Sequence, residues 1–342
     1  MGWNPPNRFE RLRVDRDGWT DPDDPPPQTM LLADASRSIL SFNDSPDVGF
    51  DVGVNPYRGC EHACAYCYAR PTHEYLGYSA GLDFETRILV KDRAPELLRA
   101  ALSSKSWRPR TIALSGNTDC YQPAERRLRI TRRCLEVLTE FRNPVGIITK
   151  SYLVSRDVDL IGELARHGAA AVVLSITTLR PELQRTLEPR AATPARRLGA
   201  IRVLADAGIP VGVNVAPVIP GLTDHEVPAI LQAAADAGAS FAGMILLRLP
   251  HGVKGIFEGW LRQHAPGHAD KVLNRMRQLG GGKLYDARYG LRGRGEGPWA
   301  LHLRSVFRLH RERLSLNRSP LLTADAFRIP PELAGPQTDL FG

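Results

Sequence analysis

Cys60, Cys64 and Cys67 stand in Cys60-Glu-His-Ala-Cys64-Ala-Tyr-Cys67, a C-x₃-C-x₂-C spacing. Three thiolates on so short a loop can hold three irons of a cubane, whereas most cluster proteins supply four cysteines. The fourth iron is then left for a ligand that the chain does not provide. A zinc site or a four-cysteine cluster would need one more protein ligand. The remaining thiols are Cys120 and Cys134. Cys134 falls in Leu128-x-Ile130-x₃-Cys134-x₂-Val137-Leu138, the spacing of a helix's core face, where a buried, inert thiol is expected. His62 is crowded by its neighbours as a zinc ligand. Ligand count and spacing therefore favour the open cubane.

An open iron is useful only if another molecule binds there, and in radical S-adenosylmethionine enzymes that molecule is S-adenosylmethionine, through its amino and carboxylate groups. One electron from the cluster then breaks the sulfonium C–S bond and releases a 5′-deoxyadenosyl radical. The loop resembles theirs, including the aromatic Tyr66 just before the last cysteine. The resemblance implies a [4Fe–4S] cluster and S-adenosylmethionine as cofactors, with an electron donor such as flavodoxin or ferredoxin.

At 342 residues the chain can bury one large core plus appendages. No stretch approaches a membrane span, and the opening Met1-Gly-Trp-Asn-Pro-Pro is unlike a signal peptide. Five cysteines, three of them in the loop, suit a reducing compartment, so the expectation is a cytoplasmic protein. The net charge of +8 is localised: Lys254–Arg318 holds 14 Lys or Arg against 5 Asp or Glu, and the remainder is close to neutral. A localised basic segment suits a polyanion such as nucleic acid, although a solvated helical surface has the same composition.

Residues 1–48 are rich in Pro, Asp and Arg, and Asp21-Pro-Asp-Asp-Pro-Pro-Pro27 cannot form a helix or a central strand. They read as an irregular N-terminal extension. From there strands and helices alternate. Strand-like runs are Phe50–Val54, Thr111–Leu114, Val145–Thr149, Ala171–Ile176, Val211–Val215 and Gly243–Leu247. Helical patterns fill the intervals at Ala94–Ser103, Ala124–Phe141, Arg156–His167, Pro194–Ala207 and His225–Ala237. Gly168, Gly208 and Gly238 each fall where a left-handed cap is expected. Alternation implies a parallel sheet with right-handed crossovers. Six units are too few for a closed eight-stranded barrel, so the expected fold is α/β, a partial (β/α)6 TIM-like barrel over residues 49–250. Residues 251–342 form a basic, partly helical C-terminal region, a possible substrate-binding element. Its helices are expected near Ala269–Leu279 and Ala300–Leu314, flanking the Gly/Arg-rich stretch Gly280–Gly297.

In parallel α/β folds ligands gather at the carboxyl ends of the strands, where the cysteine loop lies. The second strand ends in Ser115-Gly116-Asn117-Thr118-Asp119, whose glycine admits a close ligand and whose polar groups suit an amino group. The third ends in Thr149-Lys150, and a lysine there can pair with a carboxylate. The fourth ends in Ser175-Ile-Thr177, with hydroxyls for a ribose. The fifth leads into Ala216-Pro-Val-Ile219-Pro-Gly221, an apolar turn suited to an adenine. Each also has a plain structural use, and their occurrence on successive strands is what carries weight.

These stretches resemble the spore photoproduct lyase-like radical S-adenosylmethionine proteins. The likeness rests on Gly59-Cys60-x₃-Cys64-x-Tyr66-Cys67-Tyr68, Ile147-Ile-Thr-Lys150, Leu174-Ser175-Ile176, Leu187-Glu188-Pro189, the helix Pro194–Ile201 and Ala207–Pro217. A bacterial branch is closer still, through Asn55–His62, Tyr68–His73, Asp119-x-Tyr121-Gln-Pro123-x-Glu125 and Gly281–Asp286. The resemblance implies that Lys150 and Ser175 contact the S-adenosylmethionine carboxylate and ribose, and that Tyr66 and Tyr68 flank the cluster pocket as candidate catalytic groups. The lyase quenches its product radical with a cysteine near the end of the second strand. Gly116 occupies that place here, and Cys120, four residues on, is either a substitute hydrogen donor or a small buried residue.

Candidate substrate contacts are Arg58, Arg70, His73, Glu74, Tyr75 and Tyr121, with the Lys283–Arg294 stretch, whose cations and Tyr285 and Tyr289 suit phosphates and bases. The expected function is a radical enzyme acting on a larger substrate, nucleic acid first, as a repair lyase or a modifying enzyme. A peptide-modifying enzyme is the alternative. A non-catalytic nucleic-acid binder with a structural or redox-sensing cluster would have no use for Lys150 or Ser175.

Overall fold

The computed structural model describes residues 3–9 and 28–333. The Asp21–Pro27 stretch, expected to be irregular, lies outside the described residues. Ten strands are described: β1 (Met30–Ala33), β2 (Leu40–Phe42), β3 (Val52–Val54), β4 (Tyr57–Arg58), β5 (Arg87–Val90), β6 (Ile112–Leu114), β7 (Val145–Thr149), β8 (Ala170–Ile176), β9 (Val211–Val218) and β10 (Phe241–Leu246). The helices are α1 (Leu82–Thr86), α2 (Ala94–Leu102), α3 (Glu125–Leu128), α4 (Ile130–Phe141), α5 (Val158–Arg166), α6 (Pro181–Leu187), α7 (Pro194–Asp206), α8 (Val227–Asp236), α9 (Val253–His264), α10 (Pro266–Leu279) and α11 (Gly297–Arg313).

The main sheet has the order β10-β9-β8-β7-β6-β3-β2. Its first six members run parallel, and β2 is antiparallel to β3 at the edge. The expected partial (β/α)6 barrel is therefore present, with the six parallel strands where the hydrophobic runs put them. Strands covered on both faces need no polar alternation, and β8 accordingly buries Ala170, Val172, Leu174 and Ile176 without exposing the residues between. Gly168, Gly208 and Gly238 do cap their helices at positive φ, +65°, +72° and +98°.

Part of the stretch read as irregular is ordered. β2 pairs with β3, and β1 joins β5 and β4 in a separate three-stranded sheet. The helix expected over Ala124–Phe141 is broken at Arg129, whose φ is +54°. The cause is Glu125: its buried carboxylate accepts the backbone N–H of Thr131 at 3.0 Å and so caps the start of α4. Helices α1, α6 and α9 escaped the sequence reading, whereas α10 falls where the Ala269–Leu279 helix was expected. α9 packs with α10 into a second apolar cluster through Phe257, Trp260, Val272 and Met276, and that cluster continues into Leu183 and Leu187 of α6.

At the β9–β10 seam Gly212 lies opposite Phe241, and a Cβ there would sit 2.4 Å from the Phe241 ring. Gly212→Val should destabilise the protein by about 1–3 kcal/mol through overpacking. Combining it with Phe241→Ala should recover part of that loss; urea denaturation of the single and double variants measures both.

Candidate active site

Between β3 and the cysteines the chain makes the short strand β4, then turns at Gly59 with φ +81°. A Cβ on Gly59 would lie 2.8 Å from the Phe84 carbonyl oxygen, so only glycine fits both the left-handed backbone and the space. The same carbonyl accepts the N–H of Cys60 at 2.9 Å, and Leu187 O accepts that of Ala65 at 3.0 Å. Arg70 fastens the loop from below. Fully buried, it donates to the carbonyls of Cys64, Ala80 and Gly81 and pairs with Glu85 at 2.8 Å.

Cys60, Cys64 and Cys67 line one wall of a cavity of about 220 Å³ at the carboxyl ends of the strands. Gly116, Asn117, Thr118, Lys150 and Ser175 line the same cavity, together with Tyr66 and Tyr68. Asn55 holds the Gly116 turn in place, its Oδ1 accepting the N–H of Asn117 at 2.9 Å. Tyr68 donates to Gly116 O at 2.7 Å across the opening, and the Lys150 ammonium lies 5.9 Å from the Tyr66 ring centroid.

Two carboxylates, the partly buried Asp119 and the fully buried Glu188, tie the loop to the sheet. Asp119 accepts the Thr149 hydroxyl and the Lys150 N–H, each at 2.7 Å, and pairs with His62 of the loop at 3.4 Å. Burial opposes its charge, but His62 and these donors hold its carboxyl down at about 2. On the other side Glu188 accepts hydrogen bonds from the Tyr66 phenol, the Thr177 hydroxyl and the Arg197 guanidinium. Burial again opposes ionisation, and the charges of Arg197 and Lys150 outweigh it, leaving Glu188 at about 2.

Other expected residues lie elsewhere. Cys120 is fully buried in the core with Tyr57 and Cys134 and does not line the cavity. It packs as a small residue of that core. Ile219 is also fully buried, in the cluster with Tyr66 and Leu222, and Ala216 and Pro217 are the apolar residues of that turn that face the cavity. Among the proposed substrate contacts, Arg70 is consumed by the loop, and Arg58 pairs with Asp34 at 2.7 Å. His73 is buried against Phe84 and held down at about 4 by burial. Glu74 pairs with Arg8, Tyr121 is buried, and the exposed Tyr75 stacks on Phe9. None of these six lines the cavity.

The outer walls, unnoticed in the sequence, are Val48, Phe50, Ile245 and Arg248. Only their nearness to strand ends could have marked them. The Arg248 guanidinium lies 5.0 Å from the Tyr68 ring centroid. The Gly/Arg-rich stretch reaches this rim: Gly293 O accepts the N–H of Leu246 at 2.9 Å, and Arg292 is paired with Asp47, next to Val48. Tyr289 stacks with Arg292 and is 58% exposed there, and Arg294 has no carboxylate partner among the described residues.

Residues 54–234 match the family model described as the radical SAM superfamily. An uncharacterized protein of Mycobacterium tuberculosis is 40% identical over 232 residues, 67% of each chain. Another, from Methanocaldococcus jannaschii, is 31% identical over 173 residues, 51% of this chain and 62% of the relative. Among solved structures, a spore photoproduct lyase variant superposes with a TM-score of 0.61 at 19% identity, covering 86% of this chain and 82% of that one. A second variant, with bound AdoMet and dinucleoside spore photoproduct, gives 0.60 at 19% identity, covering 83% and 79%. At that identity the likeness is one of fold.

The donors present suit a cluster better than a single ion. All three cysteines are free of disulfides, and no three His, Cys, Asp or Glu side chains among the described residues converge on one metal position. The three cysteines line one wall of a cavity instead, which leaves room for a multi-iron cluster.

Gly59→Ala should lower iron and sulfide incorporation severalfold after anaerobic reconstitution, because the added methyl displaces the backbone that presents Cys60; metal analysis reads it directly. Arg197→Leu should cost about 3–5 kcal/mol by stranding the Glu188 charge. In the parent protein the folded Glu188 titrates below its ordinary value of 4.5. Its contribution to stability is thus complete above about pH 4.5 and is lost as pH falls toward 2. Thermal melts of the cluster-free protein across that window should lose this acid dependence in the variant.

Proposed function

The chain belongs to the radical SAM superfamily, whose cofactors are a [4Fe–4S] cluster and S-adenosylmethionine, and from that membership we propose a radical enzyme that acts on nucleic acid. The cofactors supply a 5′-deoxyadenosyl radical once an external reductant has given one electron. The chain's own residues bind, orient and exclude water. In this reading Cys60, Cys64 and Cys67 hold three irons. Lys150 meets the S-adenosylmethionine carboxylate, the Gly116–Thr118 turn meets its amino group, and Ser175 meets the ribose. Ala216 and Pro217 take the adenine side, with Ile219 packed behind them. Tyr66 is fixed by Glu188 and Thr177, and Tyr68 stands at the opening beside Arg248.

The observation that carries the substrate class is the tethering of the Gly/Arg-rich stretch to the rim through Gly293 and Arg292. It brings Arg294 and the exposed Tyr289 near an opening walled by Phe50, Tyr68 and Ile245, with Lys283 further along the same stretch and Arg288 paired with Asp286. Cations for phosphates and aromatic faces for bases are the composition that single-stranded nucleic acid binds. Gly116 and the buried Cys120 leave no thiol in the cavity beyond the cluster ligands, so a repair lyase that relies on such a thiol is disfavoured against a modifying reaction.

Two measurements test this. With dithionite and S-adenosylmethionine under anaerobic conditions, the reconstituted protein should form 5′-deoxyadenosine, Cys64→Ala should form none, and Lys150→Ala should bind S-adenosylmethionine roughly 10- to 100-fold more weakly, the worth of a charge-assisted hydrogen bond. Fluorescein-labelled single-stranded DNA and tRNA should bind with a steep salt dependence that Lys283→Glu and Arg294→Glu make shallower. Binding insensitive to salt and to both substitutions would remove the nucleic-acid reading and leave the radical chemistry standing.

A further inference from the structure

Beside the site lies a second concavity of about 580 Å³, larger than the cysteine cavity. Arg126, Arg156, Arg190 and Arg196 line it, with Tyr152 and no aspartate or glutamate. Arg156 is neutralised by Glu125 and Asp157. The other three are exposed and have no carboxylate partner among the described residues. Arg190 donates to the Thr29 hydroxyl and the Glu85 carbonyl, and Arg196 rests on the Tyr152 ring at 4.6 Å. The recess is therefore a concentrated positive potential prepared for an anionic surface.

Its position gives it a purpose. His62, between Cys60 and Cys64, lines both the recess and the cysteine cavity and is the only residue shared by the two. It is 2% exposed, and its carbonyl accepts the backbone N–H of Arg190 at 3.4 Å. Among the described residues His62 is thus where the arginine surface and the cavity that the cysteines line adjoin. The electron required there must come from outside. Beyond the three ligands the chain has two thiols, both fully buried in the core, too few for a second cluster.

We propose that the arginine recess is the docking site of an acidic one-electron carrier protein, flavin- or iron–sulfur-dependent, which delivers its electron through the His62 wall. This rests on the radical reading above. One electron leaves the carrier and enters the cluster, and no bond forms or breaks. Charge complementarity selects the partner and speeds its approach. A nucleic acid on the recess would touch none of Phe50, Tyr68 and Ile245, the rim where the substrate would enter.

The test uses reconstituted full-length protein and flavodoxin as the acidic carrier. Arg126→Glu combined with Arg196→Glu should weaken flavodoxin binding by at least tenfold in isothermal titration and flatten its salt dependence. Bleaching of the cluster absorbance by reduced flavodoxin should slow by at least tenfold, while bleaching by dithionite stays at the parent rate. The dithionite arm also reports that the cluster is intact. Should the double variant fail to take up iron, Arg126→Glu alone carries the same expectation, since that side chain makes no hydrogen bond or ion pair among the described residues. Unchanged flavodoxin binding and reduction would overturn the proposal, as would a loss confined to oligonucleotide binding. Formation of 5′-deoxyadenosine by the parent protein with dithionite bears only on the radical reading, so the two can fail separately.

Discussion

The buried carboxylate of Glu188 is the joint on which the ligand end of the sheet depends. Three elements meet at it: Tyr66 from the cysteine loop, Thr177 from the end of β8 and Arg197 from α7. A charge this deep is tolerated because every neighbouring donor is aimed at it, and removing any one leaves the others facing an unpaired anion. The cysteine loop has little regular hydrogen bonding of its own. Its geometry is borrowed from this joint on one side and from Asp119 on the other. The same two carboxylates hold Lys150, one through its backbone N–H and the other through charge. The ammonium and the cysteine wall are therefore positioned by shared supports rather than independently.

Charge is sorted around that frame. Inside it, acids and bases are paired and buried, and they act as structure. Outside, among the described residues, Arg294 in the Gly/Arg-rich stretch and Arg126, Arg190 and Arg196 in the recess beside His62 have no carboxylate partner, while Arg288 and Arg292 are paired with Asp286 and Asp47. The recess and the cysteine cavity share only His62 among the described residues. Such a division suits a reaction in which substrate and electron arrive separately, and it keeps the cavity between them walled by protein.

The parallel strands were legible because a strand covered on both faces is a run of apolar residues bounded by turn formers. β7 falls on Val145–Thr149 as read, and β8 begins one residue early. The misreadings share a cause. Arg58, Arg70, His73 and Glu74 are polar and near the cysteines, and proximity in sequence suggested substrate contacts. Arg58, Arg70 and Glu74 are each paired with an opposite charge distant in sequence, Asp34, Glu85 and Arg8, and His73 is buried against Phe84 and bonded to the Arg87 carbonyl. Glu125 sat in a helical pattern with nothing to show that its carboxylate would turn back and cap the next helix. The short strands β1, β2, β4 and β5 carry too few residues for a period to emerge.

The sequence by itself determined the chemistry that is local: three thiols at cubane spacing, the glycine before them, and a polar residue at the end of each successive strand. Those depend on residue type and on separations of a few positions, which folding does not alter. Only the tertiary structure decided which charges remain free. The Tyr66–Glu188 hydrogen bond, 122 residues apart in sequence, made Arg197 a support for Tyr66, and the fold left Arg126 and Arg196 lining a recess without acids and withdrew Cys120 into the core. Whether a side chain is buried and matched depends on what the fold brings against it, and no spacing along the chain encodes that.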